Sequence, residues 1–486
     1  MKKIYKFSVI FVAVAICAAL IATGFTGCGT APKNPAPEKE APVVQENPKE
    51  DLAKPQPDDP PDVKFVKKLH EYLDRKDTRG AIALFDKIPK ELEDKLDLKL
   101  LLGALLYSDA QYDEAIDVAN AVLVVEPENI EALELISMST KAKGDKAGYK
   151  KIADKILEVD PYNPAVNIQK AQDYAINKRY KLAQNAYRNA LKRDSRNPDA
   201  LFGVAQMAYY LDDNKTADQY LNKILADDPN NAPALAYLAK IAYSEENYYR
   251  ATKLIKQALA SDDSVYDYWM DYGTYLRYQG KFEDAARCWE KAVTIDPTYF
   301  LAYAYLAGNY DDLGKFDLAL QNYHKVIETN PKYFYAYEST AILEYHFGNY
   351  NNAIAYFAKA NSYHADVSYT LMIAASYLKM NDSFNAKKIL TAQLKTLERA
   401  SVEYDMVRFF SEPYSRNAET TLKQKIDKEL NSNKRGKMLF YMGLYYELMG
   451  ANDMAKDFYA KVSSMSAPMF FEYRIAEWGM KNESNS

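Results

Sequence analysis

Prolines set the frame of this chain. Pro127, Pro161, Pro229, Pro297 and Pro331 each follow an Asp, Glu or Asn, and successive distances between them are 34, 68, 68 and 34 residues. Windows of 34 residues starting at 62, 96, 130, 164, 198, 232, 266, 300, 334 and 368 tile the sequence to 401 without an insertion. Position 8 is always small from the second window onward: Gly103, Ser137, Ala171, Ala205, Ala239, Gly273, Ala307, Ala341 and Ala375. Position 20 is Ala81, Ala115, Ala183, Ala217, Ala251, Ala285, Ala319 and Ala353, with breaks at Tyr149 and Lys387. Large residues fill positions 4 (Trp269, Tyr303, Tyr337), 17 (Tyr112, Tyr180, Tyr248, Phe282, Phe316, Tyr350) and 24 (Tyr187, Trp289, Tyr323, Phe357). A repeat of this length constrains the fold more than any composition does, because one unit cannot bury its apolar face without a neighbour.

Apolar residues at positions 4, 7, 8 and 11 share one face of a helix. Two antiparallel helices per window follow, brought close by the small residues at 8 and 20. Aromatics fill the remaining gaps, and proline at position 32 ends the second helix. The composition agrees: only 17 Gly in 486 residues argues against turn-rich sheet folds and glycine-built phosphate loops. Four His and three Cys offer little to a metal enzyme, and a net charge of −5 argues against nucleic acid as a partner.

With these residues in place, the chain resembles the tetratricopeptide repeat (TPR) family. Window 300–333 carries Tyr303, Leu306, Ala307, Tyr310, Ala319, Tyr323 and Pro331 at the family's positions. Window 266–299 carries Trp269, Tyr272, Gly273, Leu276, Ala285, Trp289, Ala292 and Pro297. The resemblance implies an all-α, right-handed superhelical solenoid of about eleven helix-turn-helix repeats, closed by a C-terminal capping helix. The array runs over 63–401. Window 130–163 departs from it, with Tyr149 in place of Ala beside Gly144 and Gly148, and reads as a distorted repeat or a hinge. Residues 402–435 break the pattern with Phe409 at position 8 and Thr421 at position 20, and read as irregular helix. The phase returns over 436–486, with Leu439, Met442, Gly443, Tyr446, Ala455, Tyr459 and Val462, and residues 469–480 read as the amphipathic cap.

The N-terminus reads as an address and a tether. Lys2, Lys3 and Lys6 precede an apolar run from Val9 to Ala22, the form of a signal peptide over 1–27. Phe25-Thr26-Gly27-Cys28 resembles a lipobox in its looser spirochaete form, with Cys28 as the acylated residue, so the chain resembles spirochaete-type TPR lipoproteins. Removal of three lysines with 1–27 would take the net charge from −5 to −8. Of the cysteines, only Cys288 would then remain free, which excludes an intrachain disulfide. Residues 28–62 hold nine prolines among charged residues, a composition of extended tether reaching on the order of 100 Å at about 3.1 Å per residue.

In the TPR family, positions 2, 5, 6, 9, 12 and 13 of each window face a concave groove. Tyr209, Tyr210, Tyr237, Tyr243, Tyr278, Tyr305, Tyr335, Tyr345 and Tyr369 occupy such positions and form the candidate partner-binding set. Tyrosine offers rigid contact area with a polar tip, as interfaces use it, though tyrosines serving only as packing give the same count. Groove positions from 198 onward carry Asp199, Asp267, Asp271, Asp311, Asp312 and Glu338 against Lys240, Arg277 and Lys379. That balance excludes the basic clamp by which some TPRs hold a carboxylate terminus, and it suits a partner of basic and aromatic or aliphatic character.

Other residues carry less. His70, His324, His346 and His364 have no ligand spacing, and no cofactor, metal or catalytic set is expected. Cys288 reads as a small buried hydrophobe. Asp212-Asp213 and Asp311-Asp312 read as solvated helix-end pairs. The Lys-rich stretch 423–437 reads as a solvated face rather than a lipid contact. The expectation is a non-enzymatic scaffold, lipid-anchored in a bacterial cell envelope with the outer membrane favoured, facing the periplasm or the cell surface. It would hold a protein or peptide in its groove, with no nucleic acid or small-molecule substrate. A surface adhesin contacting host components is the alternative.

Overall fold

The computed structural model describes residues 55–412 and 416–481. The signal peptide, Cys28 and most of the tether lie outside the described residues. Every described element is a helix, and the helices alternate in antiparallel pairs. They form two compact units, one ending at Asp227 and one beginning at Asp228.

The 34-residue register is visible helix by helix. First helices begin at Leu96, Ile130, Pro164, Pro198, Ala232, Tyr266, Phe300 and Phe334, each on the first residue of its window. Second helices begin at Tyr112, Lys146, Tyr180, Asn214, Tyr248, Phe282, Phe316 and Tyr350, all at position 17. Local chemistry sets these limits. Asn129, Asn163, Asn197 and Asn231 cap first helices by accepting from the backbone N–H three residues on. Pro164 and Pro198 take the first helical position, where no N–H is needed. Second helices end on an extended residue at position 31, such as Asp160, Asp194, Asp262 and Asp296, whose carboxylate accepts from the backbone two residues on.

Between the two helices of a pair the chain must pass through the left-handed region. Position 15 does so at Ala110, Gly144, Lys178, Asp212, Glu246, Gly280, Gly314 and Gly348. Several windows thus use glycine where it is free of strain, and others hold an L-residue there at a cost.

Packing follows the small residues. Ala171, Ala205, Ala239, Ala307, Ala341 and Ala375 at position 8 are fully buried, as are Ala115, Ala183, Ala217, Ala251, Ala285, Ala319 and Ala353 at position 20. At Gly273 a methyl group would stand 2.5 Å from Trp289, and at Gly203 2.5 Å from Tyr187, so the large residue at position 24 packs onto bare backbone.

Window 130–163 keeps both helices, Ile130–Ala142 and Lys146–Val159. Tyr149, where alanine belongs, stands half-buried in a cleft of about 660 Å³ between Lys146–Val159 and the next helix, Pro164–Ile176. Burial pushes its hydroxyl up to about 12. Helices Lys146–Val159 and Pro164–Ile176 touch less closely than the consecutive helices on either side of them, and the array continues past this joint.

Helix Pro61–Asp74 starts two residues inside the stretch read as tether. Residues 402–435 hold two helices, Val402–Ser411 and Arg416–Lys428, packed on each other. The last pair, Ser432–Leu448 and Asn452–Ser463, is followed by helix Glu472–Lys481, which packs on both. No described helix is long and apolar enough to cross a membrane.

Candidate functional site

The first helices of the second unit bring three of the nine candidate tyrosines together. Tyr243 ends helix Ala232–Ser244, Tyr278 ends Tyr266–Tyr278, and Tyr305 lies in Phe300–Asp312. Tyr243 meets Tyr278 edge-on at 5.3 Å, and Tyr248 stacks on Tyr278 at 5.0 Å. Tyr305 packs at 5.4 Å from Trp289. Tyr243, Tyr278 and Tyr305 wall a cavity of about 670 Å³, completed by Thr274, Arg277, Phe282, Trp289 and Asp312. Tyr278 is 56% and Tyr305 40% exposed, so the rings present free faces. Burial, helped by the Tyr278 hydroxyl, raises the Tyr243 hydroxyl far above its usual range, so it stays a neutral donor.

Charges in this face are paired between repeats. Arg277 donates to Asp312 at 2.5 Å, and Lys240 stands 3.4 Å from Asp271. Burial raises the Asp271 carboxyl, with Lys240 opposing. Lys379 donates to Glu447 at 2.5 Å. All three groove bases are thereby engaged within the fold, and the acidic surplus read from the sequence remains. Glu338 accepts from Tyr369 at 2.5 Å, and Asp311 is held by Arg474, 163 residues further along the chain.

The other candidates divide. Tyr209 and Tyr210 belong to the first unit, where Tyr210 stacks on Tyr180 at 5.0 Å. Tyr237 is half-buried with the Lys240 ammonium 5.7 Å over its ring. Tyr335 is 58% exposed and rests on Phe334 and Tyr333 rather than on the cavity rings. Tyr345 and Tyr369 are only 8% and 3% exposed. They hold groove positions in the register but lie under other residues: Tyr369 stacks parallel to Phe471 at 5.9 Å, and Tyr345 packs edge-on against Tyr350.

Two cavity residues came from positions read as scaffold. Phe282 and Trp289 occupy positions 17 and 24, on a second helix, and still line the cavity. The pairing of Gly273 with Trp289 was the available signal: a bare backbone at position 8 lets the indole slide through between the helices. The pair Asp311-Asp312 is also different from the solvated end expected, since Asp311 is only 10% exposed at its side chain and ion-paired.

The remaining groups are structural. Cys288 is buried, and burial pushes its thiol up to about 12. His324 faces Glu344 and stacks on Tyr356, while His346 packs on Trp478. Among the described residues no three His, Cys, Asp or Glu side chains are grouped to hold a metal. In the 423–437 stretch, Lys423, Lys425, Lys434 and Lys437 pair with Glu419, Asp405, Glu403 and Asp366, leaving little charge for a lipid surface.

Comparison with known proteins agrees with this geometry. Residues 168–232, 266–299 and 306–363 match tetratricopeptide repeat family models. These stretches carry tetratricopeptide repeats, a module that in other proteins binds protein and peptide partners. No curated protein matches it. Among solved structures, a crystal structure of MamA is 24% identical and covers 33% of this chain and 94% of that one, with a TM-score of 0.32. PilF of Pseudomonas aeruginosa is 23% identical over 43% of this chain and 96% of that one, with a TM-score of 0.34. YrrB, described as a TPR protein with an unusual peptide-binding site, is 19% identical over 38% of this chain and 94% of that one, also at 0.34.

Proposed function

We propose that this protein is a lipid-anchored, extracytoplasmic TPR scaffold that holds an envelope protein through the concave face of its second unit. The observation that carries the reading is the ring-walled cavity around Tyr278 and Tyr305, open to solvent and flanked by the Arg277–Asp312 ion pair. Exposed aromatic walls suit a segment bearing arginine or lysine next to an apolar side chain, since a cation gains from the ring faces while Asp312 is engaged by Arg277. The sequence Phe25-Thr26-Gly27-Cys28 supports anchorage through Cys28, and the proline-rich stretch after it supports reach from the membrane.

Two experiments test this. Cross-linking on native membranes should capture a partner with the wild-type chain and lose it with Tyr278→Ala and Tyr305→Ala combined, helicity being kept; unchanged capture sinks the cavity assignment. Cys28→Ala should move the protein to the soluble fraction. Continued membrane retention contradicts lipid anchorage.

A further inference from the structure

The last helix does more than close an end. Helix Glu472–Lys481 packs on the pair before it, yet its side chains reach the concave face of repeats far earlier in sequence. Arg474 donates through two guanidinium nitrogens to both carboxylate oxygens of Asp311. The same guanidinium lies 5.1 Å from the ring of Phe316 and 4.4 Å from that of Trp478. Trp478 in turn packs at 4.1 Å on His346 and 5.3 Å on Phe316. Asp311 and His346 occupy groove positions 12 and 13 of their windows, directly beyond the open cavity at Asp312.

We infer that this terminal helix is an intramolecular ligand, and that its seat takes an amphipathic partner helix carrying an arginine followed four residues later by a tryptophan. The inference rests on the reading of the concave face as a protein-binding surface, and it specifies the partner's chemistry. A planar guanidinium matches a carboxylate with two parallel hydrogen bonds and lies flat on aromatic faces, which an ammonium does not reproduce. The i, i+4 spacing puts Arg474 and Trp478 on one helical face, so both reach the groove together. The side chains of Arg474 and Asp311 are 28% and 10% exposed, so the pair is worth more than a surface ion pair.

The geometry also explains how the seat can be vacated. The helix has ten residues, too few to persist alone in water. Residues 464–471 join it to the last repeat and include Met469, 84% exposed, and Ala467 at a φ of 50°. A tether this short holds the helix at an effective concentration on the order of millimolar. A partner in trans must outcompete that concentration, so the intact chain binds such a helix weakly.

The test uses the full chain and a fluorescent peptide of residues 470–481, read by anisotropy. Two variants release the seat by different means. Arg474→Ala removes the clamp, and Gly479→Leu drives a side chain into the Tyr459 ring, which already stands 2.7 Å from where a Cβ would be. Each should tighten peptide binding by about tenfold or more, equivalent to the loss of about 1.4 kcal/mol of internal competition. Adding Asp311→Ala should abolish the gain. Hydrogen exchange should show residues 472–481 exposed in both variants while 432–463 stays protected. The inference is overturned if neither variant gains affinity, or if the gain survives Asp311→Ala. It is equally overturned if exchange spreads through 432–463 in both variants, which would make the helix an inseparable part of the last repeat. Peptide binding lost on Tyr278→Ala but not on Asp311→Ala would overturn it while leaving the open cavity as the binding site.

Discussion

Two glycines one repeat apart should respond to the same added methyl with opposite sign. A Cβ at Gly273 would stand 2.5 Å from Trp289 Nε1, 2.7 Å from Cε2 and 2.8 Å from Cδ1. Ordinary contact needs about 3.5 Å, so the indole must retreat by roughly 1 Å. It cannot swing into solvent, being 1% exposed, and its N–H donates to the Met270 carbonyl at 3.2 Å. Overpacking of this kind costs about 1–3 kcal/mol, and a strained or lost hydrogen bond adds about 1 kcal/mol. The better helix propensity of alanine returns about 1 kcal/mol. The net loss is about 2 kcal/mol, or roughly 4–8 °C in melting temperature for a unit of this size. At Gly308, in the next first helix, an added Cβ meets nothing within 4 Å. There only the propensity gain remains, and melting should rise by roughly 2–4 °C. Thermal denaturation followed by circular dichroism at 222 nm reads both. A Gly273→Ala melting temperature within about 1 °C of wild type, or a lower one for Gly308→Ala, refutes the argument that helix spacing here is set by the Gly273–Trp289 contact.

Two further outcomes follow from the turns and the buried acid. Glu246 is held at a φ of 58° where other repeats carry glycine, so Glu246→Gly should stabilise by about 0.5–1 kcal/mol, seen as a shifted denaturant midpoint with an unchanged slope. Glu472 is wholly buried, and desolvation raises its carboxyl above the ordinary range despite Lys437 and the Tyr441 hydroxyl, which donates to it at 2.9 Å. The folded state therefore binds this proton more tightly than the unfolded state, and the group's contribution falls as pH rises from the usual glutamate range through the folded value. Glu472→Gln should raise the melting temperature at neutral pH and flatten that pH dependence; a lower melting temperature at neutral pH would contradict the assignment.

The tyrosine-rich face shows where sequence reasoning carries and where it stops. The register assigned Tyr278 and Tyr305 to groove positions, and both are exposed. The same register placed Tyr345 and Tyr369, which are buried. The difference lies outside the repeat. Phe471, just before the terminal helix, covers Tyr369, and the last pair of helices packs over the same stretch. A periodicity counts positions within one unit and carries no information on a segment from elsewhere that settles on that face. Trp289 and Phe282 were missed for a related reason: scaffold and groove are separate classes in a register, but a large ring beside a glycine can serve both.

The sequence by itself determined the secondary structure, the pairing of helices and the close-contact positions, because each is enforced locally. Proline and asparagine set the ends, alanine and glycine the spacing, and the 34-residue period repeats that instruction. Only the tertiary structure decided which groove charges are free and which part of the concave face is open. Asp311 and Asp312 are adjacent and chemically identical, yet one is clamped by Arg474 from 163 residues away and the other stands at the mouth of the cavity with Arg277. Nothing within a repeat distinguishes them, since the distinction comes from how the far end of the chain packs back on the array.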